Sequence, residues 1–207
     1  MIFQFQFQRL VMRGNTKQYR ELKRRIDYLK SHNLPASNPS GHYTKKQQDE
    51  IRSFLLLSHA EFEYYFEDVG RQTAKQALDK WVSDHTYKST VLMYLAAFVD
   101  NTERIKQADT SEKKIKAIVG QYFVTLNNNN GIKEDSILKI LCPIGVEQDK
   151  IDNTWLNTIT SFGSNRGEIA HTSARTQSLR DPSDILQDIN YLLAELSTID
   201  EIIKKLS

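Results

Sequence analysis

The sequence predicts an all-α protein built as a helical bundle. Apolar residues recur at spacings of three and four through most of the chain, which places them on one face of an α-helix. The stretches between these segments contain proline, glycine or runs of asparagine, which interrupt helices. The 207 residues suffice for one domain with a substantial core.

The first 44 residues are predicted to form an N-terminal arm and a basic helix ahead of the main helical domain, residues 45–207. Met1–Gln8 alternates apolar and polar residues, which suits either an edge-pairing strand or an extension upstream of a natural start at Met12. The basic helix has an apolar stripe made of Tyr19, Leu22, Ile26 and Leu29. Residues 9–30 hold eight basic and two acidic side chains, so this helix either follows a phosphate backbone or is a solvated face.

The later stripes predict further helices in chain order. These are a long helix from Ile51 toward Val82, a short one over Val91–Phe98, one over Ile115–Leu126 that ends at Asn127–Gly131, a turn or two over Ile137–Leu141 broken at Pro143, one from Ile151 to Arg166, and a last one from Pro182 to Ile202. We expect the last helix to pack along the long one. Trp81, Trp155 and Tyr64–Phe66 are expected in the core rather than as platforms for stacked bases.

Two residues in the segment Ser164–His171 carry the most chemistry. Arg166 is a permanent cation with a planar fork of donors suited to phosphate, and His171 can exchange protons near neutral pH. On a straight helix, positions five apart diverge by about 140° and rise about 7.5 Å. The long arginine side chain, a helix weakened at Gly167, or a two-fold axis could bring the groups together. Otherwise Arg166 is a surface partner of Glu168 or an aspartate, and His171 a helix-terminal residue.

This Arg-x4-His motif in a small all-helical chain resembles the signature of the HEPN superfamily, the higher eukaryotes and prokaryotes nucleotide-binding domains. The segment Ile51–Asp68 resembles its first core helix, and the likeness spans Lys45 to Leu206, with RiboL-PSP-HEPN as the candidate subgroup. The resemblance implies a HEPN-like bundle that dimerises with its motifs at the interface. It also implies a metal-independent endoribonuclease of prokaryotic toxin or defence character, with RNA as substrate and an antitoxin or defence-system protein as partner.

The resemblance assigns roles to the two residues. The RNA 2′-hydroxyl attacks and leaves a 2′,3′-cyclic phosphate, so no metal or other cofactor is expected. His171 would be the general acid or base, and Arg166 would stabilise the charge of the phosphorane-like transition state. Two positions depart from the family pattern. Gly167 stands where Asn or Asp is frequent, which makes Asn165 a candidate substitute. Ser173 stands where some HEPN toxins carry a modified tyrosine.

Other residues are candidates for supporting roles. His59 and Glu63 are four residues apart and share a helix face, so they either support the motif, form a metal pair, or are a structural histidine and its neighbour. Two ligands without a third make no metal site, so none is predicted. Glu61 is expected to point elsewhere. Arg175 and Arg180, in the polar loop after the motif, are expected to hold flanking phosphates of the RNA.

Composition excludes several classes of protein. The formal net charge is only +2, so no global field requires nucleic acid. The single cysteine, Cys142, excludes an intrachain disulfide and a cysteine-rich zinc site. No long apolar run or signal peptide is evident, which makes a cytoplasmic protein without a membrane anchor the default expectation. The alternative to a ribonuclease is a non-catalytic HEPN-like module that binds nucleotide, RNA or protein, followed by a plain helical interaction protein.

Overall fold

The computed structural model describes residues 14–100, 102–171 and 180–206. Within these ranges the chain forms eight α-helices and two short 3-10 turns, and no strand. The helices are α1 Lys17–Asn33, α2 Lys45–Ser83, α3 Thr90–Phe98, α4 Glu103–Lys106, α5 Ser111–Asn127, α6 Glu134–Leu141, α7 Asn153–His171 and α8 Pro182–Leu206, with 3-10 turns at Cys142–Ile144 and Gln148–Lys150. The predicted all-α bundle is confirmed. The predicted arm, Met1–Gln8, lies outside the described residues.

Helix α2 is the centre of the bundle. It begins with a capping box, in which the side chains of Thr44 and Gln47 each accept a hydrogen bond from the other residue's backbone N–H. Helices α1, α5, α7 and α8 all contact it. Its buried face is correspondingly wide and contains Ile51, Phe54, Phe62, Phe66 and Val69 among others. The long helix predicted from residue 51 toward residue 82 is confirmed, and it begins six residues earlier, at Lys45.

Helix α1 packs on one side of α2. Its four predicted stripe residues, Tyr19, Leu22, Ile26 and Leu29, are all buried in the common core. Part of its basic surface is paired with acidic residues, since Arg25 Nε donates to Glu61 Oε1 at 2.8 Å. Glu61 thus points towards α1, as expected. The packing of α1 makes it part of the same core as the later helices, and the division at residue 44 stays a prediction.

A buried polar cluster lies between the start of α1 and the last helix, α8. The carboxylate of Asp200 on α8 is fully buried and accepts from Thr16 N–H at 2.6 Å and from Tyr65 O–H at 2.7 Å. The Thr16 hydroxyl donates to the same carboxylate and also caps α1. Next to it, Asn15 Nδ2 donates to the Ser197 carbonyl at 3.0 Å. We call these residues the Asp200 clasp, because they fasten the start of α1 to α8 and α2.

Helix α8 contacts α2, as predicted for the last helix and the long one. It also contacts α7 and α1. Its start is held by Asp181, which accepts from the hydroxyls of Ser37, Tyr43 and Ser183. These hydrogen bonds keep the pKa of the Asp181 carboxyl well below its usual range. No helix in the described ranges is both long and apolar enough to cross a membrane.

One part of the predicted core is wrong. Trp155, Tyr65 and Phe66 are buried, and Trp81 is partly buried against the core. Tyr64, in contrast, is exposed. It follows Glu63 by about 100° around the helix, and at that position it lies beside the groove between α1 and α2 rather than under either helix.

Candidate functional site

Helices α2 and α7 run antiparallel on the side of α2 away from α1. The rings of Phe66 and Trp155 meet edge to face with centroids 6.2 Å apart, and those of His59 and Phe162 stack at 6.4 Å. The two contacts lie seven residues apart on each helix. From the first contact to the second, the residue numbers decrease on α2 and increase on α7, so the two helices run in opposite directions. The apolar stripe of α7 therefore faces α2 in antiparallel register.

Arg166 continues that stripe. Trp155, Ile159 and Phe162 are buried, and spacings of four and three residues then lead to Arg166 and to the partly buried Ile169. Arg166 is nevertheless exposed. A permanent cation thus occupies a helix position that serves the core in the preceding turns. The groove between α2 and α7 is filled by packed apolar side chains up to Phe162, and an exposed cation follows at the next turn of α7.

His59 lies on the α2 wall of this groove and is buried, with only 2% of its surface exposed. Burial lowers the pKa of the imidazole, the nearby charge of Arg166 lowers it further, and Glu63 opposes the shift. The Nδ1 atom of His59 is 3.8 Å from Glu63 Oε2, which is beyond hydrogen-bond distance. The imidazole is therefore neutral at neutral pH. His59 and Glu63, which the sequence analysis grouped by their spacing of four residues, lie close enough to Arg166 for its charge to act on the imidazole.

The loop between α5 and α6 closes one end of the groove. Its Gly131 N–H donates to the Glu63 carboxylate, and Gly131 has φ +101°, which favours glycine. Asn129 Nδ2 donates to Glu67 at 3.4 Å, and burial raises the pKa of that carboxyl. Arg71 Nη2 donates to Asn127 at 2.7 Å. The asparagine-rich segment was predicted as a turn, but its attachment to α2 was not predicted.

The same loop packs against α7. A Cβ atom placed on Gly163 would lie 3.3 Å from the Ile132 side chain and 3.6 Å from Lys133 Cγ. The absence of a side chain at Gly163 lets the loop approach the turn of α7 that precedes Arg166. Glu134 N–H donates to Thr160 Oγ1 at 2.9 Å and adds a polar link. A glycine one turn before the motif was the available sequence signal for this contact.

The motif itself lies on one continuous helix. Helix α7 runs through Gly167 to its last residue, His171, so the helix is not broken at Gly167, which was one of three ways to bring the two groups together. A Cβ atom at Gly167 would meet nothing within 4 Å, so packing does not require glycine there. Positions 166 and 171 therefore diverge by about 140°. Only the backbone position of His171 is described.

The remaining candidates are less closely connected to the groove. Asn165 is half-buried beside Arg166 on α7. Arg180 is paired with Asp188, with Nη1 2.7 Å from Oδ2. Arg175 lies outside the described residues. Over the described part of the chain, no three His, Cys, Asp or Glu side chains converge in a way that could hold a metal ion.

Comparison with known protein families identifies the family of this chain. The RiboL-PSP-HEPN family matches residues 20–205, which is most of its length. The chain is thus a HEPN-domain protein, as the fold and the Arg-x4-His motif indicated. Within that superfamily it belongs to the RiboL-PSP-HEPN family. No curated protein and no solved structure shows significant similarity to it.

Proposed function

We propose that this protein is a metal-independent endoribonuclease that uses Arg166 and His171. The observation that supports this most is the position of Arg166. It extends the core-facing stripe of α7 and yet is exposed, and its charge reaches the buried His59 on α2. A structural arginine on the outer face of the helix would need neither property. An exposed cation at this position is suited to the phosphate of an RNA strand.

The proposed reaction is an internal transfer at phosphorus. The 2′-oxygen of the RNA attacks the adjacent phosphorus, the bond from phosphorus to the 5′-oxygen breaks, and a 2′,3′-cyclic phosphate remains. A base takes the proton of the 2′-hydroxyl, and an acid returns a proton to the leaving 5′-oxygen. His171 supplies proton transfer, and Arg166 neutralises the charge that develops on the non-bridging oxygens. Every atom comes from the RNA, so the step needs no cofactor.

His59 has a supporting role in this proposal. It is too deeply buried to exchange protons with RNA, and it is neutral. A neutral ring allows Arg166 to lie close by without repulsion between two cations. Glu63, with 24% of its side chain exposed, supplies negative charge beside them while it holds the Gly131 loop. The two residues thus keep the Arg166 end of the groove in place.

We further propose that two copies assemble with their motifs in one cleft. Since the two positions diverge on a straight helix, one copy alone presents Arg166 and His171 in different directions. A two-fold axis lets the arginine of one copy act with the histidine of the other. In a cytoplasmic toxin or defence protein, such a cleft is also the surface that an antitoxin or defence-system partner would cover.

The test is incubation of the purified protein with single-stranded RNA in EDTA. We expect cleavage with 2′,3′-cyclic phosphate ends. His171→Ala should reduce the rate by about 10²–10⁴-fold through loss of proton transfer. Arg166→Ala should reduce it by about 10²–10³-fold through loss of charge stabilisation. Arg104→Ala, at an exposed arginine on α4, is the matched control and should cut normally. Loss of cleavage in EDTA, or variants as fast as wild type, would refute the proposal.

A non-catalytic RNA-, nucleotide- or protein-binding module is the second candidate, and Gly167 favours it. This glycine departs from the Asn or Asp frequent in the family, although the open space around it would accept a side chain. If wild type binds RNA without cutting it and Gly167→Asn restores cutting, the chain is a binding module whose site lacks that side chain. If wild type cuts RNA, this second candidate is excluded.

A further inference from the structure

The loop between α5 and α6 runs along α2 in a regular register. Three hydrogen bonds join the two segments, and each involves every second residue of the loop and every fourth residue of α2. The bonded pairs are Asn127 with Arg71, Asn129 with Glu67, and Gly131 with Glu63. Four residues of helix correspond to about 6 Å, which two residues of extended loop can span. The next step of this register leads to the level of His59.

Lys133 lies at that end of the loop, and a contact with α7 shows its position independently. A Cβ atom on Gly163 would lie 3.6 Å from Lys133 Cγ. Gly163 follows Phe162, whose ring stacks on His59, so the contact and the register agree. Arg166 is three residues after Gly163, a rise of about 4.5 Å. Lys133 is therefore beside the turn of α7 that precedes the motif arginine.

The charge of Lys133 is not used within the described part of the chain. The residue is exposed, and its ammonium group forms no ion pair or hydrogen bond with any residue that the structure describes. The acidic residues that follow it, Glu134 and Asp135, are in the first turn of α6, where the helix dipole favours negative charge. The aliphatic part of Lys133 lies next to α7 and the residue remains open to water. Its charge is therefore available to a ligand.

We propose that Lys133 binds the RNA phosphate next to the one at Arg166. This inference rests on the proposed function, since it adds a residue to the same site. RNA carries one phosphate for each nucleotide, so two cations beside successive turns of α7 suit two successive phosphates of one strand. A lysine contacts phosphate as a point charge and reads no base. Lys133 thus holds the strand in place and takes no part in proton transfer.

The first experiment measures RNA binding in a His171→Ala background, with a fluorescent single-stranded RNA oligonucleotide as the probe. Lys133→Gln should flatten the dependence of log Kd on log salt concentration by about 0.7, the contribution of one phosphate contact to a single strand. At about 0.1 M salt this corresponds to a roughly fivefold loss of affinity. Lys133→Arg keeps the charge and should keep both the slope and the affinity.

Lys75→Gln is the matched control. Lys75 is an exposed lysine on α2 that also has no ion pair among the described residues. It is sixteen residues after His59, about 24 Å along the helix, which exceeds the screening length at physiological salt. Its substitution removes the same charge from the protein and should leave the slope unchanged and the affinity within about twofold.

A neutral linkage in the RNA tests the contact itself. The oligonucleotide carries an uncharged methylphosphonate in place of the phosphate on one side of the cleaved linkage, and then on the other. At the linkage that Lys133 contacts, this change should weaken binding to the Lys75→Gln variant about fivefold and leave binding to the Lys133→Gln variant unchanged. Removal of both partners should then cost no more than removal of one.

Cleavage kinetics separate binding from chemistry. In the protein that retains His171, Lys133→Gln should raise KM about fivefold and keep kcat within about twofold, because its contact is the same in the ground state and the transition state. Arg166→Ala should lower kcat instead, as expected for a residue that stabilises developing charge.

The outcomes distinguish this inference from the proposed function. If wild type cuts RNA but Lys133→Gln and Lys75→Gln have the same salt slope and affinity, the Lys133 inference alone is wrong. A methylphosphonate that weakens both variants equally at each position would also overturn it. If wild type neither binds nor cuts RNA, the proposed function itself has failed.

Discussion

The two sides of α2 bury polar groups for different purposes. Towards α1 and α8, the Asp200 clasp contains a fully buried carboxylate that receives hydrogen bonds from Thr16 and Tyr65. Towards α7, the polar groups are the neutral His59, the partly exposed Glu63 and the exposed Arg166. Helix α2 contributes an ionisable side chain to each side, Tyr65 to the clasp and His59 and Glu63 to the α7 side, yet only Tyr65 is hydrogen-bonded at a fully buried carboxylate.

The difference shows which polar residues serve the fold. In the clasp, each donor and acceptor has its hydrogen-bond partner inside the protein, so these polar groups stabilise the fold. On the α7 side, His59 and Glu63 lie 3.8 Å apart without a hydrogen bond between them, and Arg166 is exposed. Polar groups that are incompletely satisfied are typical of sites that bind a ligand. The α7 side is therefore where function is expected.

The largest expected effect is on stability, at the clasp. Asp200→Ala removes the acceptor of three hydrogen bonds at a fully buried site, and we expect the free energy of unfolding to fall by about 3–5 kcal/mol. Urea denaturation followed by circular dichroism measures this. Asp188→Ala, on the same helix and paired with the partly exposed Arg180, should cost less than about 1 kcal/mol.

On the α7 side, the same measurement should give a small change. Arg166→Ala removes an exposed side chain, and its free energy of unfolding should stay within about 0.5 kcal/mol of wild type while RNA cleavage is lost. If Arg166→Ala were as destabilising as Asp200→Ala, the distinction between a structural side and a functional side would be wrong.

A smaller effect concerns the pH dependence of stability. The pKa of His59 is lower in the folded chain than the ordinary 6.5, chiefly because of burial. Below pH 6.5 the unfolded chain therefore takes up a proton that folded His59 does not, and stability falls as the pH falls from that value. We expect His59→Gln to lose less stability than wild type between pH 7 and pH 5, as measured by urea denaturation at both values.

Proton NMR tests the contact behind that shift. Arg166→Ala removes a positive charge near the imidazole, so the His59 resonance should titrate at a higher pH in the variant than in wild type. An unchanged titration would mean that Arg166 does not face the α2 wall.

Periodicity was sufficient to predict most of the fold. The stripes of α1, α2 and α8 follow spacings of three and four, and the structure buries them as predicted. Tyr64 was misjudged because it follows Glu63 and precedes the buried Tyr65 by single steps, and neighbours on a helix point in different directions. Composition alone could not show that Tyr64 would border the groove between α1 and α2.

The candidate site was predicted in part, for a physical reason. A spacing of four residues placed His59 and Glu63 on one face, and the structure sets that face against Arg166. The attachment of the Gly131 loop depends on how distant segments of the chain align. Residues more than a hundred positions apart, such as His59 and Phe162, carry no sequence signal of their register. Only the ring contacts between α2 and α7 supply it.

In the proposed enzyme, the α7 side becomes an active site when two copies of the motif share a cleft. A complementation assay tests this directly. Arg166→Ala and His171→Ala are each inactive, but a mixed dimer keeps one Arg166 and one His171 on different chains. We predict that mixing the two variants under conditions of subunit exchange restores RNA cleavage to roughly a quarter of the wild-type rate, since half the dimers are mixed and each has one intact pair. A mixture that exchanges subunits and remains as inactive as its components would contradict the claim.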